Sequence, residues 1–276
     1  MIEREPARVS YQGREVITNP PPSSGGILIA DALGILERLE RPHDPYMLAE
    51  VIASTNRARD EEFLAGLATE GFLERFLAKK ALDSVAIEVR SRLGNTTHIS
   101  VMDAEGACAS VTCSNGSCSG VVVPGTGMHL NNMLGEQDLN PLGFHQHPPG
   151  ARVPSMMAPT VVLREGRPEI AIGSAGSNRI RSAILQTVIG VVDHGLPAQE
   201  AVSAPRIHVE GRQVDAEPGA DEAALERLEG AGWTVRRWSE KNLFFGGAQA
   251  VARNPDTGRL TGGGDPRRGG VATVVG

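Results

Sequence analysis

The sequence predicts an α+β protein in which antiparallel sheets stack on one another and helices flank them. Three observations lead there. The first 90 or so residues place apolar side chains at helical spacing. After Gly94 the pattern switches abruptly to the alternation of β-strands, and three hairpins follow. Two further helices lie between those hairpins, each ended by a glycine, so strands and helices must pack as separate layers.

In chain order, a strand at Arg14–Thr18 is followed by Asn19 and three prolines, a stiff entry to a helix that Ser23 or Ser24 can cap. Residues 26–39 carry Ile27, Ile29, Leu33, Ile35, Leu36 and Leu39 at helical spacing, and helices over 45–66 and 71–80 follow. The hairpins span 96–103 with 107–113 around Asp103-Ala104-Glu105-Gly106, 160–163 with 169–173, and 248–253 with 259–261. The two intervening helices cover 178–194 and 221–230.

The 276 residues carry 27 basic and 33 acidic side chains, a formal net charge of −6. No basic surplus exists to release counterions from a phosphate backbone, so a nucleic acid is not the expected partner. The apolar runs at 27–36 and 184–192 are too short to span a bilayer, and the amino terminus lacks the apolar core of a secretory signal. Cys108, Cys113 and Cys118 are spaced unlike any zinc site and read as small packing residues. His145-Gln146-His147 lacks an obvious third ligand, Gly262-Gly263-Gly264-Asp265 lacks the Gly-Lys-Ser/Thr of a phosphate loop, and Arg267-Arg268 is too short for a nucleic-acid patch. No metal and no cofactor is expected.

The switch point, Gly94-Asn95-Thr96-Thr97-His98-Ile99, is the informative feature. A threonine that opens a strand after a helical segment suits an N-terminal nucleophile, because cleavage before it places a new α-amine beside the hydroxyl. That amine, with a pKa of about 7.7–8.0, accepts the hydroxyl proton near neutrality. A Thr-Thr pair at a strand start also follows from β-propensity alone.

The neighbouring motifs decide between those readings. Pro20-Pro21-Pro22-Ser23-Ser24-Gly25-Gly26, Thr96-Thr97-His98, Leu130-Asn131-Asn132-Met133, Ser155-Met156-Met157-Ala158-Pro159-Thr160, Gly173-Ser174-Ala175-Gly176-Ser177-Asn178-Arg179-Ile180, Ala204-Pro205-Arg206 and Gly264-Asp265-Pro266-Arg267 occur in this order. In that order they resemble the γ-glutamyltransferase family along most of the chain. The resemblance implies a four-layer αββα N-terminal nucleophile hydrolase fold, divided at Thr96 into 1–95, the end of a large subunit, and 96–276, a small catalytic subunit. It implies that Thr96 attacks a γ-glutamyl amide such as a glutathione-like substrate, with the Gly176 and Ser177 turn meeting the oxyanion and water or an amino acid or peptide resolving the acyl-enzyme.

The same resemblance assigns the substrate's amino-acid head to Ser114, Asn115, Glu136, Ser155 and Met156, with Thr112 supporting from the same strand face. It also shows departures. Met156 replaces a second carboxylate-binding serine and Met133 a glutamine. Glu136 stands at an aspartate, and Asn115 is one place out of register with Gly116 in the literal position. Ser177 replaces a glycine, which is tolerable provided its φ stays negative. The family's large subunit is several hundred residues long and carries an arginine clamp for the α-carboxylate. Arg152, Arg179 and Arg206 match structural positions rather than that clamp. The implied fold is therefore N-terminally truncated. Three readings stay open: a truncated gene, a second chain supplying the missing half beside self-association of the cleaved pieces, or a minimal version that folds alone. A non-catalytic remnant and an acylase for non-glutamyl amides are the competing functions. No membrane partner is expected, and the family's frequent periplasmic or secreted location leaves localisation undetermined.

Overall fold

The computed structural model of the protein describes residues 3–39, 44–79, 96–140 and 143–275. Its centre is a six-stranded antiparallel sheet in the order β1 (Ala7–Tyr11), β2 (Arg14–Thr18), β5 (Thr160–Arg164), β6 (Arg167–Ala175), β10 (Gly247–Arg253) and β11 (Leu260–Gly264). A second hairpin, β3 (Thr96–Met102) with β4 (Cys108–Ser114), lies across β6 and β10 on one face. Helices α1 (Ser24–Glu37), α5 (Arg179–Val192) and α6 (Ala198–Ser203) cover the other face, with α2 (Pro45–Arg57) outside α1. A small sheet, β7 (Ile207–Glu210), β8 (Gln213–Ala216) and the parallel β9 (Thr234–Arg237), packs with α7 (Glu222–Gly230) at one end. The described residues thus form a helix layer, a sheet and a hairpin lying on that sheet.

The helix boundaries follow from capping. Ser23 Oγ accepts from Gly26 N at 3.3 Å and starts α1. Asp44 and Asp221 cap α2 and α7 in the same way. The single helix expected over 45–66 is two: α2 stops at Arg57, and Asp60 Oδ1 accepts from Phe63 N to open α3 (Glu61–Gly66). The mainly helical first segment also gains a strand. Gln12 and Gly13 turn at φ 49° and 70°, which lets β1 fold back on β2. The helix expected over 71–80 is α4 (Phe72–Lys79), and it joins Phe63, Phe72 and Phe76 in an aromatic cluster.

The hairpin of β3 and β4 inverts the usual polarity. Apart from Met102 and Cys108 at its far end, its inward side chains are polar, namely Thr96, His98, Ser100, Ser110, Thr112 and Ser114, whereas Ile99, Val101 and Val111 point outward and are 50–58% exposed. Polar side chains can face the sheet because they find partners, Ser110 and Ser100 on the sheet backbone and the others within the hairpin. Ser110 donates to Ile172 O at 2.9 Å, and His98 bonds Thr112 at 2.7 Å and Ser100 at 2.8 Å. No disulfide joins Cys108, Cys113 and Cys118. Cys113 lies on the exposed side of the hairpin, so it is not the packing residue expected.

Candidate active site

Thr96 begins β3 and pairs in register with Ser114, the last residue of β4, so the two hydroxyls meet across the strands at 2.9 Å. Asn95, whose bond to Thr96 is the expected cleavage point, lies outside the described residues. Beside Thr96 is a recess of about 30 Å³ lined by Ser114, Gly116, Met133, Glu136, Asp138, Leu139, Ser155, Met156, Met157, Ser177 and Ile180. Four segments distant in sequence are therefore brought to one hydroxyl: the end of β4, the 133–139 turn, the 155–157 stretch and the entry to α5.

Each expected residue has a definite place. Ser114 Oγ also accepts from Gly116 N at 3.1 Å, which orients the hydroxyl facing Thr96. Gly116, not Asn115, lines the recess. Asn115 instead gives its carbonyl to Asn132 N and Cys118 N, tying the two loops together. Glu136 is buried, and its Oε1 accepts from Ser117 N at 2.5 Å. Ser155 Oγ accepts from Met157 N at 3.0 Å. Met156 reaches the recess but is 2% exposed and belongs to the hydrophobic core, so it shapes the wall. Thr112 stays one layer below, bonded to His98.

His98 is held between the sheets. Burial pushes its pKa down from 6.5 to about 4, so the ring is neutral at physiological pH. Both ring nitrogens are engaged, and the ring lies on Gly173 of β6. A side chain at Gly173 would occupy the ring's space, which is why β6 carries glycine there.

The turn into α5 is the second element of the site. Gly176 has φ 128°, and its missing Cβ would stand 2.7 Å from Gly246 Cα. Ser177 has φ 58°, contrary to the expectation that a non-glycine residue here keeps φ negative. Its hydroxyl donates to Asp138 Oδ2 at 2.5 Å. The Arg179 and Ile180 N–H groups close the turn onto the Gly176 and Ser177 carbonyls at 3.0 and 3.1 Å. Asp138 is the residue that sequence reasoning missed. It lies 39 positions from Ser177 and belongs to no motif; the only signal was a serine where glycine's freedom is needed.

The larger cavity, about 660 Å³, is lined by α3 residues, Pro21, Pro22 and the 143–154 loop, and includes neither Thr96 nor the Ser177 turn. Its lining pairs no nucleophile with a base, so the smaller recess is the candidate site. His145 is in the same loop with φ 62°, and among the described residues no group of three or more His, Cys, Asp or Glu side chains forms a metal site.

The sequence profile described as Gamma-glutamyltranspeptidase matches residues 1–275. The chain belongs to this family. It is 36% identical over 281 residues to the acylase ACY 1 proenzyme of Pseudomonas sp. (strain V22), covering 94% of this chain and 50% of that protein. It is 30% identical over 310 residues to the glutathione hydrolase proenzyme of Escherichia coli (strain K12), covering 96% of this chain and 52% of that protein. Among solved structures, the γ-glutamyltranspeptidase from Pseudomonas nitroreducens complexed with L-DON matches with a TM-score of 0.55 at 28% identity, covering 65% of this chain and 100% of that chain. The fold is thus the α+β N-terminal nucleophile fold of this family, and the chain spans about half the length of the curated relatives it matches.

Proposed function

We propose that the protein is an autoprocessed amide hydrolase and acyltransferase with Thr96 as nucleophile. One observation carries the reading: the Thr96 hydroxyl, at a strand start, faces a small recess whose opposite wall is a turn in left-handed conformation at a helix entry. Cleavage of the Asn95–Thr96 bond would divide the chain into 1–95 and 96–276, two pieces of one fold. The freed α-amine of Thr96 would take the proton of its own hydroxyl, with Ser114 holding the oxygen. The hydroxyl oxygen then attacks the amide carbonyl, and N–H groups at the Gly176 and Ser177 turn stabilise the oxyanion. Collapse expels the amine, which leaves with the proton, and an ester on Thr96 remains. Water or an amino group resolves that ester by the same path in reverse. Relatives named as proenzymes support the processing step.

For the acyl group, the first reading is γ-glutamyl, with Glu136 as acceptor for the substrate ammonium and Ser155 near its carboxylate. A second reading is favoured by Met133 and Met156, which line the recess where polar contacts are expected, and by the relatives named acylases: a less polar acyl group such as glutaryl. Matched γ-glutamyl, glutaryl and hexanoyl anilides separate the two. Preference for γ-glutamyl that Glu136→Gln abolishes supports the first; equal or faster glutaryl turnover supports the second. Turnover of none of them, with the chain intact, would leave the remnant reading in place of both.

A further inference from the structure

Ser177 is one of five non-glycine residues with positive φ among those described, and the only one of them that lines the Thr96 recess. A side chain in that backbone region costs about 1–2 kcal/mol, so something must hold it there. The holder is visible: Ser177 Oγ donates to the buried carboxylate of Asp138. Asp138 is itself fixed from behind, because Arg59 Nη2 donates to its backbone carbonyl at 2.5 Å. The 133–140 turn that carries it is braced by Asn140 Nδ2, which donates to Glu136 O at 2.7 Å and Leu134 O at 3.0 Å. Burial pushes the Arg59 guanidinium down to about 10, and the Asp138 carboxylate opposes that shift.

We propose that Asp138 is a positioning residue for acyl transfer, tethering Ser177 in its left-handed conformation so that the turn's N–H groups stay aimed at the oxygen of the carbonyl attacked by Thr96. The tether does with a side chain what a glycine would do by having none. It also links three parts of the chain: Arg59 from before the cut at Thr96, the turn bearing Glu136, and the entry to α5. The inference rests on the proposed acyl-transfer function.

The test uses the processed full-length protein and steady-state kinetics on the best anilide. Asp138→Ala should lower kcat about 10- to 100-fold, the range for losing a charge-assisted bond that orders an oxyanion site, while KM moves less than about 3-fold. Asp138→Asn retains an acceptor and should lose less. Adding Ser177→Gly to Asp138→Ala should restore most of the lost kcat, since glycine adopts φ near 58° without a tether. A merely structural aspartate would show no such rescue. The inference is overturned if the double variant is no faster than Asp138→Ala. It is equally overturned if Asn costs as much as Ala with the loss in KM and confined to amine-bearing acyl groups, because Asp138 would then bind substrate. Should Asp138→Ala not fold, Asp138→Asn with and without Ser177→Gly carries the same comparison. A wild type that neither cleaves nor turns over sinks the proposed function and this inference together, whereas an active wild type indifferent to Asp138→Ala sinks this inference alone.

Discussion

Replacing Gly173 by alanine tests how the hairpin that begins at Thr96 is seated. A methyl group there would lie 2.2 Å from both Cε1 and Nδ1 of His98 and 2.7 Å from Cγ. The ring has little room to yield, because Thr112 holds one nitrogen and Ser100 the other. Either the hairpin lifts from β6, or the two hydrogen bonds break. Overpacking of this kind costs about 1–3 kcal/mol, and the bonds at stake put the expectation near the upper end, about 2–3 kcal/mol. For a protein of this size that is a Tm lower by about 5–10 °C, read by calorimetry. Because β3 begins at Thr96, the rate at which a fragment starting at Thr96 appears should fall as well. Adding His98→Ala to Gly173→Ala removes the clashing ring, so the two changes should be non-additive by about 1 kcal/mol or more. A Gly173→Ala protein as stable as wild type, or strictly additive with His98→Ala, would refute the packing argument.

Three other outcomes follow from the same structure. Thr96→Ala should abolish both chain cleavage and turnover, whereas Thr97→Ala, on the exposed side of the hairpin, should leave a fragment beginning at Thr96 detectable by mass spectrometry. His98 is buried with its pKa depressed from 6.5 to about 4, so the unfolded chain takes up its proton first as pH falls. Its contribution is full above about pH 6.5, is lost between 6.5 and 4, and amounts to at most about 3–4 kcal/mol at about 1.4 kcal/mol per unit. Urea melts of His98→Gln should show a flatter slope than wild type across that window. Arg267 forms buried ion pairs with Glu217 and Asp265, and Arg206 pairs with Asp265 at 2.8 Å. Arg267→Met leaves Glu217 buried without its ion-pair partner and should cost about 3–5 kcal/mol, a Tm drop of about 10 °C by differential scanning fluorimetry.

The hairpin of β3 and β4 was legible because β-branched residues alternate on both sides of an acidic-glycine turn, and local pattern is what sets such a pair. The α5 and α7 helices were legible from their periodicity and terminal glycines. The break at Asp60 was not, since apolar periodicity runs through Leu48, Val51, Ile52 and Phe63, and only the competing cap at Asp60 divides the helix. The small sheet of β7, β8 and β9 has strands of four residues, too short to show a period, and its parallel pairing depends on α7 between them. Of the candidate site, Thr96, Ser155, Met156 and Ser177 lie in the ordered motifs, Ser114 and Glu136 came only with the resemblance, and all six line one recess. What sequence could not give was the conformation of Ser177 and its answer in Asp138. That pair is a tertiary contact, and neither residue type announces it.

In the proposed reaction Thr96, freed at its amine, carries the acyl group. The direct measurement is mass spectrometry of the purified protein after brief reaction with the anilide it turns over fastest, quenched in acid and digested. The expected result is a fragment whose first residue is Thr96 and whose mass gains one acyl group on that threonine. An intact chain of 276 residues, or an acyl group found on any other side chain, would contradict it.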